Sequence, residues 1–356
     1  MKFLTDFFKR RKQNSIIKKI ARLQNEAMSY QRNGKLRHYA EIMAEITKLE
    51  EQINEESNGD PIGGLKGFIK ILQKLIRETS PDNVIVVWDG PNGSKKRKTM
   101  DKNYKAGRKP IRLNRAFHNL TDDEELQNKM WQQSRIIEYM NEMPVVQFML
   151  PEIEADDVIA HITQLSIYDG WQKIIVSNDK DFMQICDDET ILWRPTKNEF
   201  LNKNRIIEQT GIHPTNMALA RAIIGDASDN LPGVKGAGFA TVAKRLGSIL
   251  SVEKTATIDE IIEFCKDADS KLKFFTNVAE NKNLIEHNYK MMQLYSPQMS
   301  VQSKTYVKES IENFECEFNK TEIIGMMRAD GFGELNWEDL RANLNRIQKE
   351  CLDSKS

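Results

Sequence analysis

The stretch VIVVWDG, residues 84–90, is a continuous apolar run rich in β-branched residues, and it ends at an aspartate and a glycine. Such a run is typical of a strand buried on both faces of a parallel sheet. KIIVSND, residues 173–179, repeats the pattern. Between them lie a helix with Ile136, Ile137 and Met140 facing inward and a short strand in VVQFML. Strands that alternate with helices predict an α/β fold with a parallel sheet, where ligands bind at the carboxyl ends of the strands.

Helical patterns lie on both sides of these strands. Apolar residues at alternating spacings of three and four predict an antiparallel helical hairpin over residues 13–56 and a further helix over 62–78. Asp60 and Pro61 are suited to the N-cap and first position of that further helix. The pattern is helical again after residue 200.

The charges are distributed unevenly along the chain. Its 356 residues include 52 Lys plus Arg and 52 Asp plus Glu, so the formal net charge is zero. Residues 1–37 hold eleven basic and two acidic residues, residues 92–115 hold ten and one, and residues 151–190 hold two and ten. Separate basic and acidic surfaces suit an enzyme that grips a polyanion while it holds cations at a carboxylate cluster.

Composition excludes several classes of protein. The four cysteines lie far apart without a C-x-x-C pair, and the five histidines do not neighbour them, so we expect neither a disulfide framework nor structural zinc. No run of 18 apolar residues occurs, and the N-terminus lacks the apolar stretch of a signal peptide. We therefore expect a soluble cytoplasmic protein that makes no contact with a membrane.

Eight acids lie at the ends of predicted elements. Each one alone could equally cap a turn or a helix N-terminus. Together at one sheet edge they would repel one another unless divalent cations neutralised them, and oxygen ligands without Cys or His favour Mg²⁺ or Mn²⁺. Two metals about 4 Å apart could activate a water and stabilise the departing oxygen of a phosphodiester. The candidate metal ligands are Asp89, Glu154, Asp156, Asp157, Asp179, Asp181, Asp226 and Asp229.

A basic loop, residues 94–109, directly follows the first strand end and carries at least seven cations and one aromatic residue, Tyr104. It could be a solvated charge run, but its position predicts that it overhangs the acids, where its cations could grip phosphates and Tyr104 could stack on a base. In GVKGAG, residues 233–238, backbone N–H groups before a helix could face a phosphate, although a plain turn fits equally well. The candidate nucleic-acid-binding residues are Arg97, Tyr104, Gly233, Lys235, Gly236 and Gly238.

Five motifs in fixed order resemble those of the 5'-nuclease (flap endonuclease) family, which includes phage ribonuclease H enzymes: WDG, YKAGRK, EIEADD, SNDKDF and GDASDNLPGVKGAG. The resemblance covers about residues 60–300. It implies a PIN-like nuclease domain over 59–200 and a helical domain over 201–350. The helical domain would contain a helix-three-turn-helix module that holds duplex DNA, and residues 1–58 would form the helical hairpin extension.

The resemblance also implies roles for individual residues and partners. Lys105 and Arg108 would be catalytic and polarise the scissile phosphate, while a K⁺ ion could join the backbone of 233–238 at the duplex phosphate. The substrate would be a DNA flap or an RNA–DNA duplex, and a monomer would work beside replication proteins such as a single-strand-binding protein or a clamp. The first of two metals would bind Asp89, Glu154, Asp156 and Asp179, the second Asp181, Asp226 and Asp229, and Asp157 could join either set.

The chain departs from the family at one point. The family begins with a strand that ends in an aspartate, shortly before the helix predicted at 62–78, and here the helical hairpin takes that place. Asp6, in KFLTD, is the upstream candidate, although the basic FFKRRK after it is unlike the family. We expect either that KFLTD fills the slot and Asp6 approaches Asp89, or that the domain is marginal and weakly active because a sheet edge is left unpaired.

Three functions are compatible with these observations. The leading hypothesis is a Mg²⁺-dependent 5'-to-3' exonuclease and flap endonuclease that removes RNA primers or flaps during replication, for a phage. The first alternative is a structure-specific DNA-binding protein whose catalysis is impaired because the first family aspartate is missing. The second is a PIN-type ribonuclease, which the GVKGAG module disfavours because single-stranded RNA offers no duplex phosphate to hold.

Overall fold

The computed structural model describes residues 62–108, 121–268, 272–332 and 337–353, together with eight isolated positions between 19 and 45. Those eight positions are all helical, and Lys19 Nζ lies 2.9 Å from Glu45 Oε1. Lys19 and Glu45 lie in different halves of the predicted hairpin, and an antiparallel pair of helices would bring them together. Asp6 and the rest of the hairpin lie outside the described residues, so the expectations for KFLTD remain predictions.

The described elements alternate between strands and helices in the first half and are helical in the second. Three short 3₁₀ turns, at Ser166–Tyr168, Asp181–Ile185 and Ala227–Asp229, interrupt them. In chain order the elements are α1 (Gly63–Thr79), β1 (Ile85–Trp88), α2 (Lys95–Met100), α3 (Asp122–Asn141), β2 (Val146–Met149), α4 (Ala155–Thr163), β3 (Lys173–Val176), β4 (Thr190–Arg194), β5 (Glu199–Leu201), α5 (Lys203–Thr210), α6 (Pro214–Ile224), α7 (Phe239–Leu250), α8 (Ile258–Asp267), α9 (Lys273–Glu280), α10 (Lys282–Met292), α11 (Val301–Glu312), α12 (Lys320–Ala329) and α13 (Trp337–Asp353).

The chain divides into two compact units that are each discontinuous in sequence. The first comprises Met1–Ile85, Pro110–Gln147 and Glu315–Ser356, and the second comprises Val86–Lys109 and Phe148–Phe314. These divisions differ from the boundaries drawn near residues 58 and 200, which remain predictions about functional modules. None of the described helices is long and apolar enough to cross a membrane.

The first unit is built around α1. Its buried apolar face includes Leu65, Ile69 and Ile76, as the spacing predicts, because residues three and four apart share one side of a helix. The backbone N–H of Leu65 donates to Oε1 of Gln132 on α3 at 2.8 Å. The N-cap is Ile62 rather than the predicted Asp60, which precedes the described residues, and no side chain caps the helix.

One cysteine in this unit forms a disulfide that the sequence analysis did not anticipate. Cys316 is disulfide-bonded, whereas Cys186 and Cys265 in the second unit are free and buried. The expectation concerned a disulfide framework, and a disulfide at Cys316 is not one. Sequence spacing did not reveal it because a disulfide needs proximity in space rather than in sequence.

The predicted α/β fold is confirmed, with a small parallel sheet. β3 and β4 are parallel, with Lys173 opposite Thr190, and β5 adds an antiparallel edge that the sequence analysis did not predict. β1 and β2 form a separate two-stranded sheet. All four residues of β1 are half-buried, so the prediction that this strand is buried on both faces is wrong.

The core of the second unit surrounds α6, most of which is buried. Asn288 on α10 is fully buried, and its Nδ2 donates to the carbonyl oxygens of Ala222 at 2.9 Å and Pro232 at 2.8 Å. Because a buried amide that satisfies two backbone carbonyls is costly to displace, this side chain fixes the loop after α6 against the core.

Two glycines let that loop close on itself. Gly225 has φ +79°, and a Cβ on it would lie 2.3 Å from the backbone nitrogen of Gly233. A Cβ on Gly233 would lie 1.8 Å from the carbonyl oxygen of Ile224. Gly238, the N-cap of α7, has φ −113° and no atom within 4 Å of such a Cβ. The predicted phosphate-binding glycines thus differ, since Gly233 is required sterically and Gly238 is not.

Gly233→Ala and Gly238→Ala form a matched pair for this difference. We expect Gly233→Ala to lower the free energy of unfolding by about 2–3 kcal/mol because its methyl overlaps backbone atoms that cannot move independently. Gly238→Ala should change it by less than about 0.5 kcal/mol. Urea unfolding followed by circular dichroism measures both, and equal stability of the two variants would contradict the close approach.

Candidate active site

Each acid predicted as a metal ligand lies in the second unit, next to the end of a strand, helix or turn. Asp89 follows β1, and Glu154 is the N-cap of α4. Asp179 follows β3, and Asp226 precedes the turn Ala227–Asp229. Parallel strands and helix N-termini gather carboxylates in this way because both present their ends at one edge.

A first acid cluster forms at the N-terminus of α4. Glu154, Asp156 and Asp157 each offer one ligand atom, and these atoms lie within 4.8 Å of one another. Asp89 adjoins the cluster, since its Oδ1 accepts the backbone N–H of Ala155 at 3.1 Å. The turn after Asp89 needs a glycine, because a Cβ on Gly90 would lie 1.8 Å from the carbonyl oxygen of Leu150.

Arg97 lies inside this cluster and is only 3% exposed. Its Nη1 donates to Glu154 and, at 2.8 Å, to Oδ2 of Asp157, and its Nε donates to the carbonyl oxygen of Met291 at 2.8 Å. The prediction that Arg97 binds DNA is therefore wrong for this arrangement. Buried carboxylates need a paired cation, and the guanidinium has no surface left for a phosphate.

Tyr104 is also withdrawn from solvent. It is 3% exposed and belongs to a small apolar cluster with Leu231, Met291 and Met292. Its hydroxyl donates to Oε2 of Glu154 at 3.2 Å. A ring packed in this way offers no face to a base, so the predicted stacking role is wrong, and Tyr104 supports the cluster instead.

The two predicted catalytic cations lie at the acids. Lys105 Nζ is 2.6 Å from Oε1 of Glu154, and Lys105 N–H donates to the carbonyl oxygen of Asp229 at 3.1 Å. Arg108 pairs with the carboxylate of Asp229, donates from Nε to the carbonyl oxygen of Ser228 at 3.0 Å and is half exposed. Lys105 and Arg108 therefore connect the α4 cluster with the turn after α6 and remain within reach of solvent.

Asn230 holds this loop in place and was not singled out from the sequence. Its Nδ2 donates to the carbonyl oxygens of Asn103 at 3.0 Å and Ala106 at 2.7 Å, on either side of Lys105. Asn230 has φ +60°, a left-handed conformation that asparagine tolerates better than most residues. The pattern S-D-N before a proline was the available signal, since asparagine favours such turns.

A second acid group surrounds Arg221, another residue that the sequence analysis missed. Arg221 donates from Nε to Oδ1 of Asp181 at 2.8 Å and from Nη2 to Oδ2 of Asp226 at 2.6 Å. Asp179 adjoins them, since its Oδ1 accepts the backbone N–H of Asp181 at 2.9 Å. A lone arginine in the otherwise apolar segment of α6 was the signal, because a buried cation requires buried anions.

The acids differ in how well their charge is balanced. Burial raises the pKa of Asp156 to about 7, and the charges of Glu154 and Asp157 add to this despite Arg97. Burial likewise raises the pKa of Asp181 to about 6 although Arg221 opposes it. Burial would also raise the pKa of Glu154, but Arg97 and Lys105 outweigh it and hold that pKa below its usual value. Asp156 and Asp181 are thus the carboxylates that gain most from an added cation.

The donor set fits hard divalent cations. Carboxylate oxygens without Cys or His suit Mg²⁺ or Mn²⁺. Some of these oxygens already have donors: Arg97 and the backbone N–H of Gln298 donate to Asp157, and Arg97, Tyr104 and Lys105 donate to Glu154. The ligand atoms of Asp157 still lie with those of Glu154 and Asp156, so its place in a metal site stays a prediction.

The predicted phosphate-binding residues lie just before α7, and their role stays a prediction. Lys235, Gly236 and Gly238 are exposed just before α7, and Gly236 has φ +85°. Lys235 is anchored through its carbonyl oxygen, which accepts from Nδ2 of Asn277 at 2.9 Å. The N-terminus of a helix with exposed backbone N–H groups is suited to an anion.

Comparisons with known proteins agree with this architecture. Residues 36–211 match the family model of the 5'-3' exonuclease N-terminal, resolvase-like domain, and residues 6–56 match a family of unknown function, DUF6435. A 5'-3' exonuclease from Aquifex aeolicus is 28% identical over 206 residues, which are 56% of this chain and 64% of that protein. DNA polymerase I from Bacillus subtilis is 28% identical over 276 residues, which are 76% of this chain and 28% of the polymerase.

The T5 D15 protein co-crystallised with metal ions shares the fold. Its TM-score is 0.54 at 18% identity, over 83% of this chain and 94% of D15. The chain spans less than two thirds of the length of the Aquifex exonuclease and of the Bacillus polymerase. The family model and the exonuclease relatives identify residues 36–211 as a 5'-3' exonuclease N-terminal, resolvase-like domain of the 5'-nuclease family.

Proposed function

We propose that this chain is a Mg²⁺-dependent phosphodiester hydrolase with 5'-to-3' exonuclease and flap endonuclease activity. The observation that carries the proposal is the placement of Lys105 and Arg108. Each contacts an acid of the site, Glu154 or Asp229, and each keeps part of its side chain exposed. Cations that lie between clustered carboxylates and solvent are suited to receive a phosphate there.

Two groups of acids would hold the metals. Asp89, Glu154 and Asp156 would hold the first ion, together with Asp179, which adjoins the second acid group. The second ion would bind Asp181, Asp226 and Asp229. Bound Mg²⁺ would lower the pKa of a water and stabilise negative charge on the phosphate oxygens. Mn²⁺ would bind the same oxygen ligands.

The protein's own residues would position the substrate. Lys105 and Arg108 would hold the scissile phosphate, and the segment of Asn230 would keep their loop against the acids. Arg97 and Tyr104, which both donate to Glu154, would hold its carboxylate in place. Exposed N–H groups of Gly236 and Gly238, with Lys235, would hold a second phosphate on the duplex, and a K⁺ ion could share that contact.

The biological setting is part of the proposal. DNA polymerase I is among the relatives, and the T5 D15 flap endonuclease has been crystallised with DNA and metal ions, which supports a 5' flap or an RNA-primed duplex as substrate in replication. We further propose that a monomer acts in the cytoplasm of a phage-infected host beside a single-strand-binding protein or clamp.

The second candidate, a flap-binding protein with impaired catalysis, draws support from the arginines. Arg97 and Arg221 neutralise acids that would otherwise attract metals. A 5'-labelled flap and an RNA-primed duplex, incubated with Mg²⁺ or with chelator, separate the two when cleavage and binding are both measured. Cleavage that requires Mg²⁺ supports the nuclease, and binding without cleavage at any Mg²⁺ concentration supports the alternative.

Asp89→Asn and Asp179→Asn test the acids at the strand ends. We expect each variant to lose Mg²⁺-dependent cleavage by about 100-fold or more, because a metal ligand is gone. Flap binding should stay within about 3-fold, because phosphate contacts come from other residues. Asp169→Asn, at an exposed acid away from the site, is the matched control. Near-normal turnover of both variants would show that these acids are structural.

Lys105→Ala tests the catalytic cation, with the exposed Lys98→Ala from the same loop as control. Lys105 contacts Glu154, whereas Lys98 lies on the exposed side of α2. We expect Lys105→Ala to lower turnover by about 100-fold, with a smaller change in flap affinity, because its charge acts where negative charge develops. Single-turnover kinetics and filter binding separate the two effects. A loss confined to affinity would contradict the role.

Asp156→Asn should separate stability from metal binding. The pKa of Asp156 rises from 3.8 to about 7 on folding without metal, so its ionisation destabilises the fold as pH rises through this range. In chelator we therefore expect Asp156→Asn to melt a few degrees above the wild type at pH 8 and equally at pH 4. Mg²⁺ should stabilise the wild type more than the variant. Identical melting temperatures of the two proteins at pH 8, both in chelator and in Mg²⁺, would refute this.

A further inference from the structure

Arg221 is the buried cation of the second acid group. It is 9% exposed and lies on α6 among Ala218, Leu219, Ala222 and Ile223, which are buried. Its guanidinium contacts one oxygen of Asp181 and one of Asp226, as described above. An arginine held in this way cannot reach solvent without leaving at least one of these acids.

The two acid groups differ at Asp156 and Asp226, although in the first group Glu154 also accepts from Arg97 and Lys105. In the α4 cluster, Arg97 is 3.9 Å from Oδ1 of Asp156, which is beyond hydrogen-bond distance. In the second group, Arg221 donates to Oδ2 of Asp226 at 2.6 Å, while the backbone N–H and hydroxyl of Ser228 donate to its Oδ1 at 2.7 and 2.6 Å. Both oxygens of Asp226 therefore already have donors, whereas Asp156 is not bonded to the arginine of its own cluster.

We propose that Arg221 is a built-in counter-ion that competes with the second divalent cation for Asp181 and Asp226. The inference rests on the proposed function, since it takes these acids as metal ligands. Asp156 accepts no hydrogen bond from the arginine of its own cluster, so the first ion displaces no guanidinium from it. The second ion must displace Arg221 from both Asp181 and Asp226, so it binds more weakly. Occupancy of the two metal positions is consequently sequential.

If Arg221 assisted metal binding instead of competing with it, removing Arg221 would change the affinity for the second ion in the opposite direction. If Arg221 only oriented Asp181 and Asp226 for the metal, its removal would weaken the second ion. If it competes, its removal leaves two carboxylates without a counter-ion, and a divalent cation gains from neutralising them. The direction of the change in metal affinity therefore distinguishes competition from orientation.

The experiment counts bound Mn²⁺ by electron paramagnetic resonance titration of the full chain without DNA. Arg221→Met keeps most of the apolar stem of the side chain and removes its charge. Arg221→Lys keeps the charge with fewer donors, and Arg205→Met on the exposed side of α5 is the control. In the wild type and the control we expect two ions whose dissociation constants differ by about 10-fold or more. In Arg221→Met the weaker constant should fall by about 10-fold, and in Arg221→Lys by less.

Thermal melting provides a second readout. Arg221→Met should melt below the wild type in chelator, because two buried acids lose their partner, and Mg²⁺ should raise its melting temperature more than that of the wild type. Weaker or unchanged binding of the second ion in folded Arg221→Met would overturn the inference. If that variant does not fold, the same result in Arg221→Lys overturns it. A wild type that binds no Mn²⁺ would instead refute the proposed function, so the two failures are distinguishable.

Discussion

The buried ion pairs of Arg97 organise the site. A guanidinium that is withdrawn from water can be tolerated only with carboxylates around it, and the carboxylates of Glu154 and Asp157 can be buried only with such a cation. Because Arg97 also bonds to the backbone of Met291, the same contact joins α2, α4 and the end of α10. Tyr104 and Lys105 donate hydrogen bonds to the same carboxylate, that of Glu154.

The charge balance of the site explains why it suits divalent ions. Four cationic side chains lie among the eight acids: Arg97, Lys105, Arg108 and Arg221. With every carboxylate ionised, eight negative and four positive charges leave a net charge of about −4, which two divalent cations would neutralise. The raised pKa values of Asp156 and Asp181 mark the two positions, one in each acid group, where ionisation is least favourable without a further cation.

The sequence analysis predicted where the acids lie and placed Lys105 and Arg108 beside them, but it did not predict that Arg97 and Arg221 are paired with the acids. Asp89 and Asp179 end apolar runs, and such runs end where strands end, so their placement follows from local chemistry. In the run SKKRKTM, by contrast, all the cations are alike locally, and only packing against α4 and α10 buries Arg97 and leaves Lys98 outside. The β5 edge strand was missed because Glu199–Leu201 is too short to show a period. Arg221 was missed because a lone charge in an apolar helix indicates that anions must lie nearby but does not identify them.

The backbone of Lys105 has a consequence for the dynamics of its loop. Its φ of +54° places a residue with a long side chain in a left-handed conformation, which costs about 1 kcal/mol relative to the usual regions. The hydrogen bonds from its N–H to Asp229 and from Asn230 to its neighbours offset that cost while the loop is docked. An undocked segment would lose these hydrogen bonds and would be free to relax to ordinary backbone angles, so the strained backbone favours two distinct states of the loop over a continuum. Exchange of the Lys105 amide proton with water would report the undocked state, because its hydrogen bond to Asp229 forms only in the docked one.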